Sequence, residues 1–158
     1  MRLHLLRHAH AGDAATWDRP DAERPLSDKG RAQAERLGKH LAAVDAELGL
    51  FLTSPKVRAR DTAVIVAAAL GANVEEDDRL AEGFLVSTLE EILRDHGDPD
   101  PVTLVGHDPD FSEVLATLIG ARELPMRKGA VARVELDRPL TPEGGELRWL
   151  LTPDLLKR

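Results

Sequence analysis

Cysteine is absent from all 158 residues. That excludes disulfides, thiolate catalysis and cysteine-ligated metals, and it fits a reducing cytoplasm. Aromatic side chains are scarce, at 3% of the chain. Trp17, Trp149 and the phenylalanines are too scattered to form a base-stacking surface, so they read as packing residues. An excess of positive charge is missing as well. A net charge of −7 argues against a broad electrostatic grip on nucleic acid or anionic lipid, so neither is an expected partner. An acidic chain can still hold an anion, but only through a local cluster of Arg, Lys and His. No long apolar run occurs either. The longest, Ala63 to Leu70, is helix-sized, and the N-terminal MRLHLLRHAH is too short and interrupted for a signal peptide or a membrane span. The expectation is a soluble cytoplasmic protein forming one domain over residues 1–158, long enough to bury a core without staples.

The order of elements predicts the fold class. Arg2 to Leu6 reads as a buried strand, and Asp13 to Pro25, with two prolines and no period, as a long loop. Ser27 is suited to cap a helix from Asp28 to about Val44, with Ala34, Leu37, Leu41 and Val44 on one face. Leu48 to Thr53 is a second strand. Pro55 suits the first turn of the next helix, which Gly71 ends. Asn73 to Glu76 reads as a brief strand and Ser87 to His96 as a helix stopped by Gly97. Val102 to Val105 is a further strand, followed by a helix over Asp110 to Ile119. Alternation through Ala130, Ala132, Val134 and Leu136, then Leu147, Trp149 and Leu151, predicts a hairpin. Strand-helix alternation with a terminal hairpin implies a three-layer α/β/α sandwich, its central sheet mostly parallel with an antiparallel edge.

In such sheets ligands bind at the carboxyl ends of the parallel strands. Those ends carry Arg7 and His8, then Ser54 to Arg58, then Gly106 and His107. Two arginines and two histidines meeting at one spot repel each other unless an anion lies between them. The arginine fork matches phosphate oxygens bidentately. Neighbouring positive charge depresses histidine pKa, which keeps an imidazole neutral and nucleophilic near pH 7. A neutral histidine facing a held phosphoryl group can attack phosphorus, while the remaining cations stabilise the equatorial oxygens.

The motifs themselves carry a resemblance. LRHAHAG (Leu6 to Gly12) looks like the Arg-His-Gly signature of the histidine phosphatase superfamily, which has the phosphoglycerate mutase-like fold. SPKVRARDTA (Ser54 to Ala63) is similar to its second motif, and VGHDPDFS (Val105 to Ser112) resembles its third. RPLSDKG (Arg24 to Gly30) and the compact length look most like the SixA-type phosphohistidine phosphatase branch. The resemblance implies a metal-independent phosphatase that uses no cofactor. His8 would be the nucleophile, forming a covalent phosphohistidine intermediate; Arg7, Arg58 and His107 would complete the pocket, with Arg24 an accessory contact. The substrate implied is a phosphohistidine-bearing protein, and the product inorganic phosphate.

Two positions depart from the pattern. Ala9 stands where the superfamily usually has Gly. The glutamate acid of its phosphomonoesterase and mutase branches has only Glu82, in LAEGF, as a stand-in. A P–O bond to an alkoxide needs a proton donor, whereas a P–N bond to histidine releases imidazole, a far better leaving group. A site without a dedicated acid therefore suits phosphohistidine. The alternatives from the same residues are a small-molecule phosphomonoesterase using Glu82, a mutase, and a non-catalytic module that binds phosphoprotein. A metal reading of His4, His8 and His10 fails on size, because the barrels that use His-x-His at a strand end need about 250 residues.

Overall fold

Apolar alternation turns into strands in the computed structural model, which describes residues 1–157. The strands are β1 (Arg2–Arg7), β2 (Leu50–Thr53), β3 (Val74–Glu76), β4 (Val102–Gly106), β5 (Val131–Leu136) and β6 (Gly145–Leu151). They form one sheet in the order β3-β2-β4-β1-β5-β6. β1, β2, β3 and β4 pair in parallel, β5 pairs antiparallel with β1, and β6 pairs antiparallel with β5 at that edge. The helices are α1 (Asp28–Ala43), α2 (Val57–Leu70), α3 (Val86–Asp95) and α4 (Asp110–Ile119).

Successive strand residues point to opposite faces, so each parallel strand feeds two cores. Leu3, Leu5, Leu52 and Leu104 pack with Leu89, Ile92 and Leu93 of α3 and Phe111, Leu115 and Leu118 of α4. Leu6, Phe51 and Val105 pack instead with Ala34, Leu37 and Leu41 of α1 and Ala59, Ala63 and Val66 of α2. The result is the expected three-layer α/β/α sandwich. Truncating one of these fully buried leucines, Leu104→Ala for instance, costs about 2–5 kcal/mol.

Local departures from the sequence reading have local causes. Val44 is the C-cap of α1, not a member of its buried face, and it is 58% exposed; the chain leaves the helix there and turns at Asp45, whose φ is 51°. β2 begins at Leu50 rather than Leu48. Gly49 has φ +66°, and a Cβ on it would lie 1.9 Å from the carbonyl oxygen of Pro101, so the chain enters the sheet only after it. Pro55 precedes α2, whose N-cap is Lys56. The long loop contains two short 3-10 turns, Ala14–Thr16 and Asp21–Glu23.

The connection from β1 passes through α1 to β2, and β4 later inserts between β1 and β2. This is the topological switch at which open α/β sheets form a crevice. Register fixes what meets there. Arg7 pairs with Gly106, the amide of His8 donates to the Gly106 carbonyl (3.0 Å), and the amide of Ser54 donates to the Val105 carbonyl (2.9 Å). Three motifs far apart in the chain thus end side by side.

Candidate active site

A cavity of about 290 Å³ opens at these strand ends. Arg7, His8, Arg24, Arg58, His107 and Glu82 all line it, so every residue singled out from the sequence reaches the same place. Lys56, Lys128, Asp108 and Asp110 join them.

His8 follows the last residue of β1 and is 6% exposed. Its Nδ1 is 2.7 Å from the carbonyl oxygen of Ala9. A carbonyl only accepts, so Nδ1 carries the proton and Nε2 keeps its lone pair. Burial, and then the charges of Arg58, Arg7 and Lys128, lower its pKa to about 3, outweighing the opposing effect of the Ala9 hydrogen bond. The imidazole is neutral at pH 7, as a nitrogen nucleophile must be. Ala9 itself is fully buried, and its amide donates to Thr62 Oγ1 (3.1 Å), whose hydroxyl donates to the Arg58 carbonyl (2.7 Å). The turn that a glycine usually makes is held here by a threonine from the second motif.

His107 follows β4, with its ring centroid 5.2 Å from that of His8. Its Nε2 is 2.7 Å from Ser54 Oγ; that oxygen accepts from the amide of Lys56 (3.2 Å), so its own hydrogen is free for Nε2. Burial first, then the His8, Arg58 and Lys56 charges, lower its pKa to about 3. The two guanidiniums are each held by a backbone carbonyl and a carboxylate. Arg7 Nη1 donates to the Met126 carbonyl (2.6 Å) and lies 3.2 Å from Asp108 Oδ2. Asp108 in turn accepts from the amide and hydroxyl of Ser112. Arg58 donates to the carbonyl and to Oδ2 of Asp21, both at 2.8 Å. Arg24 bridges to the same carboxylate through Nε (3.2 Å) and to the Ala11 carbonyl (3.0 Å). Arg24 therefore reaches the cavity wall tied to the partner of Arg58.

Buried polar atoms are almost always paired. Among the described residues, Arg7 Nε, Arg58 Nε, His107 Nδ1 and Arg133 Nε are the buried side-chain polar atoms with no partner. Three of them belong to residues lining this one cavity. Two are guanidinium donors, and the Ser54 hydroxyl can donate to His107 Nε2, which makes Nδ1–H the third. The guanidiniums and imidazoles that line the cavity suit a tetrahedral oxyanion.

The walls are fixed by loops. Ser27 caps α1 by accepting from the amide of Gly30 (3.1 Å), and its own amide donates to the His10 carbonyl (3.0 Å). Any side chain at Gly30 would strike that carbonyl, since a Cβ there would lie 1.9 Å from it. On the opposite side the segment with Glu82 is held by Asp110, which accepts from the Phe84 amide (3.1 Å), and by Asp77, bound through both oxygens to Arg79. Hydrogen bonds from Arg79 outweigh burial and hold Asp77 down at about 2. Glu82 is exposed at the rim.

His4 and His10 play other parts. His4 is buried against the Trp149 ring, and His10 Nδ1 meets Ser27 Oγ at 2.6 Å. Among the described residues no group of three or more His, Asp or Glu side chains is arranged to hold a metal ion. No helix among them is long and apolar enough to cross a membrane.

Sequence reasoning passed over Asp21, Asp108 and Lys128. It also passed over the supporting roles of Ser54 and Thr62, although both lie inside the second motif and Thr62 follows Arg58 by one helical turn.

The profile described as histidine phosphatase superfamily (branch 1) matches residues 3–86, which include every singled-out residue except His107. An uncharacterized protein of Picosynechococcus is 38% identical over 116 residues, 72% of this chain and 70% of its own. The phosphohistidine phosphatase SixA of Escherichia coli is 28% identical over 163 residues, 99% of this chain and 97% of its own. The solved structure of the protein histidine phosphatase SixA complexed with tungstate superposes with a TM-score of 0.82 at 26% identity, covering 99% of this chain and 100% of that one. The phosphoglycerate mutase-like fold, the converging motifs and these likenesses agree: the chain belongs to the histidine phosphatase superfamily, and it is a phosphatase.

Proposed function

We propose that this phosphatase removes the phosphoryl group from phosphohistidine on proteins, through a covalent intermediate on His8. The observation that carries the reading is the His8 ring. Its Nδ1 is held by the Ala9 carbonyl, and its free Nε2 belongs to a cavity lined by Arg7, Arg58 and His107. Nε2 attacks phosphorus, and the substrate P–N bond breaks with its electron pair going to the departing ring nitrogen. That ring leaves as neutral imidazole when its other nitrogen carries a proton. Arg7, Arg58 and His107 stabilise the charge on the three equatorial oxygens. Water then attacks the phosphorylated Nε2 adduct, the P–Nε2 bond breaks, and inorganic phosphate leaves with the free imidazole of His8 restored.

The acids around the cavity support phosphohistidine over an ester. Asp108 and Asp110 act as acceptors, from Ser112 and Arg7 and from the Phe84 amide. That leaves Glu82, exposed at the rim and held by no hydrogen bond among the described residues, and a site with no acid fixed over the leaving group suits imidazole better than an alkoxide. The likeness to SixA along nearly the whole chain supports the same substrate class.

The test compares turnover on two proteins at equal concentration without added metal, one carrying phosphohistidine and one phosphoserine. Strong preference for phosphohistidine is the expected result. Preference for the ester, lost in Glu82→Gln, replaces this reading with a phosphomonoesterase. Tight tungstate binding with no turnover of any substrate replaces it with a phosphoprotein-binding module.

A further inference from the structure

A second cleft, of about 590 Å³, adjoins the phosphoryl cavity and shares Arg7, Asp108 and Lys128 with it. Lys29 on α1 and Arg127, in the segment before β5, extend its lining away from His8. Two carboxylates also line it, and both have cations of their own: Asp108 is paired with Arg7 (3.2 Å) and Asp154 with Lys157 (3.1 Å). Lys29, Arg127 and Lys128 are in no ion pair among the described residues, and Lys29 and Arg127 are exposed. Like charges crowd here: burial, and then Arg7, Arg24, Arg58 and Lys29, lower the pKa of Lys128.

Unpaired cations collected in one cleft are conspicuous in a chain of net charge −7. The net negative charge works against acidic partners overall, so a local basic cleft favours where one approaches. The cleft has twice the volume of the phosphoryl cavity, and its unpaired cations come from two separate segments. That spread suits several carboxylates along an extended chain better than one compact oxyanion. We propose that this cleft docks an acidic stretch of polypeptide flanking the phosphorylated residue of the substrate protein. The inference rests on the protein-phosphohistidine reading and adds to it the charge of the substrate around the phosphoryl group.

The experiment uses two peptides in which phosphohistidine is flanked on both sides by Glu or by Gln. Wild-type kcat/KM is expected to favour the Glu peptide by about tenfold at low salt, with the ratio falling towards one as ionic strength rises. The double charge reversal Lys29→Glu with Arg127→Glu is expected to abolish or invert the ratio, and the milder Lys29→Gln with Arg127→Gln to reduce it. Equal turnover of the two peptides by the wild type overturns the proposal, as does a Glu preference that survives the reversal. Free phosphohistidine, which carries no flanking residues, reports whether each variant still folds and turns over. Should neither peptide nor free phosphohistidine be hydrolysed, the functional reading fails separately. Fluorescence anisotropy with the unphosphorylated Glu peptide then decides the cleft: binding lost on charge reversal supports it, and no binding by the wild type overturns it.

Discussion

His8 Nδ1 and the carbonyl oxygen of Ala9 are 2.7 Å apart, and this contact leaves Nε2 as the ring nitrogen with a free lone pair, the one that the proposed mechanism uses. The same environment holds the imidazole pKa down at about 3, chiefly by burial. The ring therefore remains neutral as pH falls through the ordinary histidine range. Histidine NMR of the free protein is expected to show one ring, assigned by its loss in His8→Gln, with Nδ1 protonated and no titration between about pH 5 and 8. A His8 midpoint near the ordinary value would mean that the ring is not desolvated as described.

Stability should carry the same signature. His4, His8 and His107 are buried, with pKa values lowered to about 4, about 3 and about 3, in each case first by burial. The unfolded chain binds these protons at its ordinary value of 6.5 and the folded chain does not. Their stabilisation is thus fully present above 6.5 and is lost progressively as pH falls towards 4 and 3. Asp77, held at about 2, loses its contribution only below its ordinary 3.8. Urea midpoints are expected to fall between pH 7 and pH 4.5, before carboxylate titration dominates. A flat profile over that interval would contradict neutral burial of the three rings.

The fold and the meeting of Arg7, His8, Arg58 and His107 were legible because strand alternation obeys a periodic rule, whereas Arg24 and Glu82 were singled out only by resemblance. Alternation marked β1, β2 and β4, and their carboxyl ends are where an open α/β sheet binds ligands, so Arg7, His8, Arg58 and His107 could be grouped before any contact was known. What was not legible comes from segments without a period. Asp21 meets Arg58 across 37 positions, from a loop whose path is set by its tertiary contacts rather than by local preference. Lys128 and Met126 lie in another such segment, pinned where the Gly129 amide donates to the carbonyls of Arg7 and His8. Val44 fits the helical period, but the helix ends before the period does.

Thr62 joins the first motif to the second, accepting from the Ala9 amide and donating to the Arg58 carbonyl. Thr62→Val keeps the shape and leaves a buried amide unpaired. A loss of about 1–3 kcal/mol is expected, read from denaturant midpoints against wild type. An unchanged midpoint would show that the amide finds another partner.

Ser54 touches His107 Nε2 at 2.7 Å, and in the proposed mechanism it acts as a positioning residue for that ring. Ser54→Ala removes the group that sets the His107 tautomer, and kcat/KM on a phosphohistidine protein is expected to fall about tenfold, the effect of roughly 1.4 kcal/mol. Histidine NMR of the same variant should show the His107 ring exchanging between tautomers. A slowed enzyme with an unaltered His107 signal would assign Ser54 a merely structural role.

Covalent chemistry on His8 is tested most directly by trapping the intermediate. Wild-type protein is mixed with a phosphohistidine protein, quenched rapidly in alkaline denaturant, where phosphohistidine survives, and mapped by peptide mass spectrometry. The expected result is one phosphoryl group on His8, absent from His8→Ala, which turns over no substrate. A phosphoryl group on another residue, or near-normal turnover by His8→Ala, would contradict the mechanism.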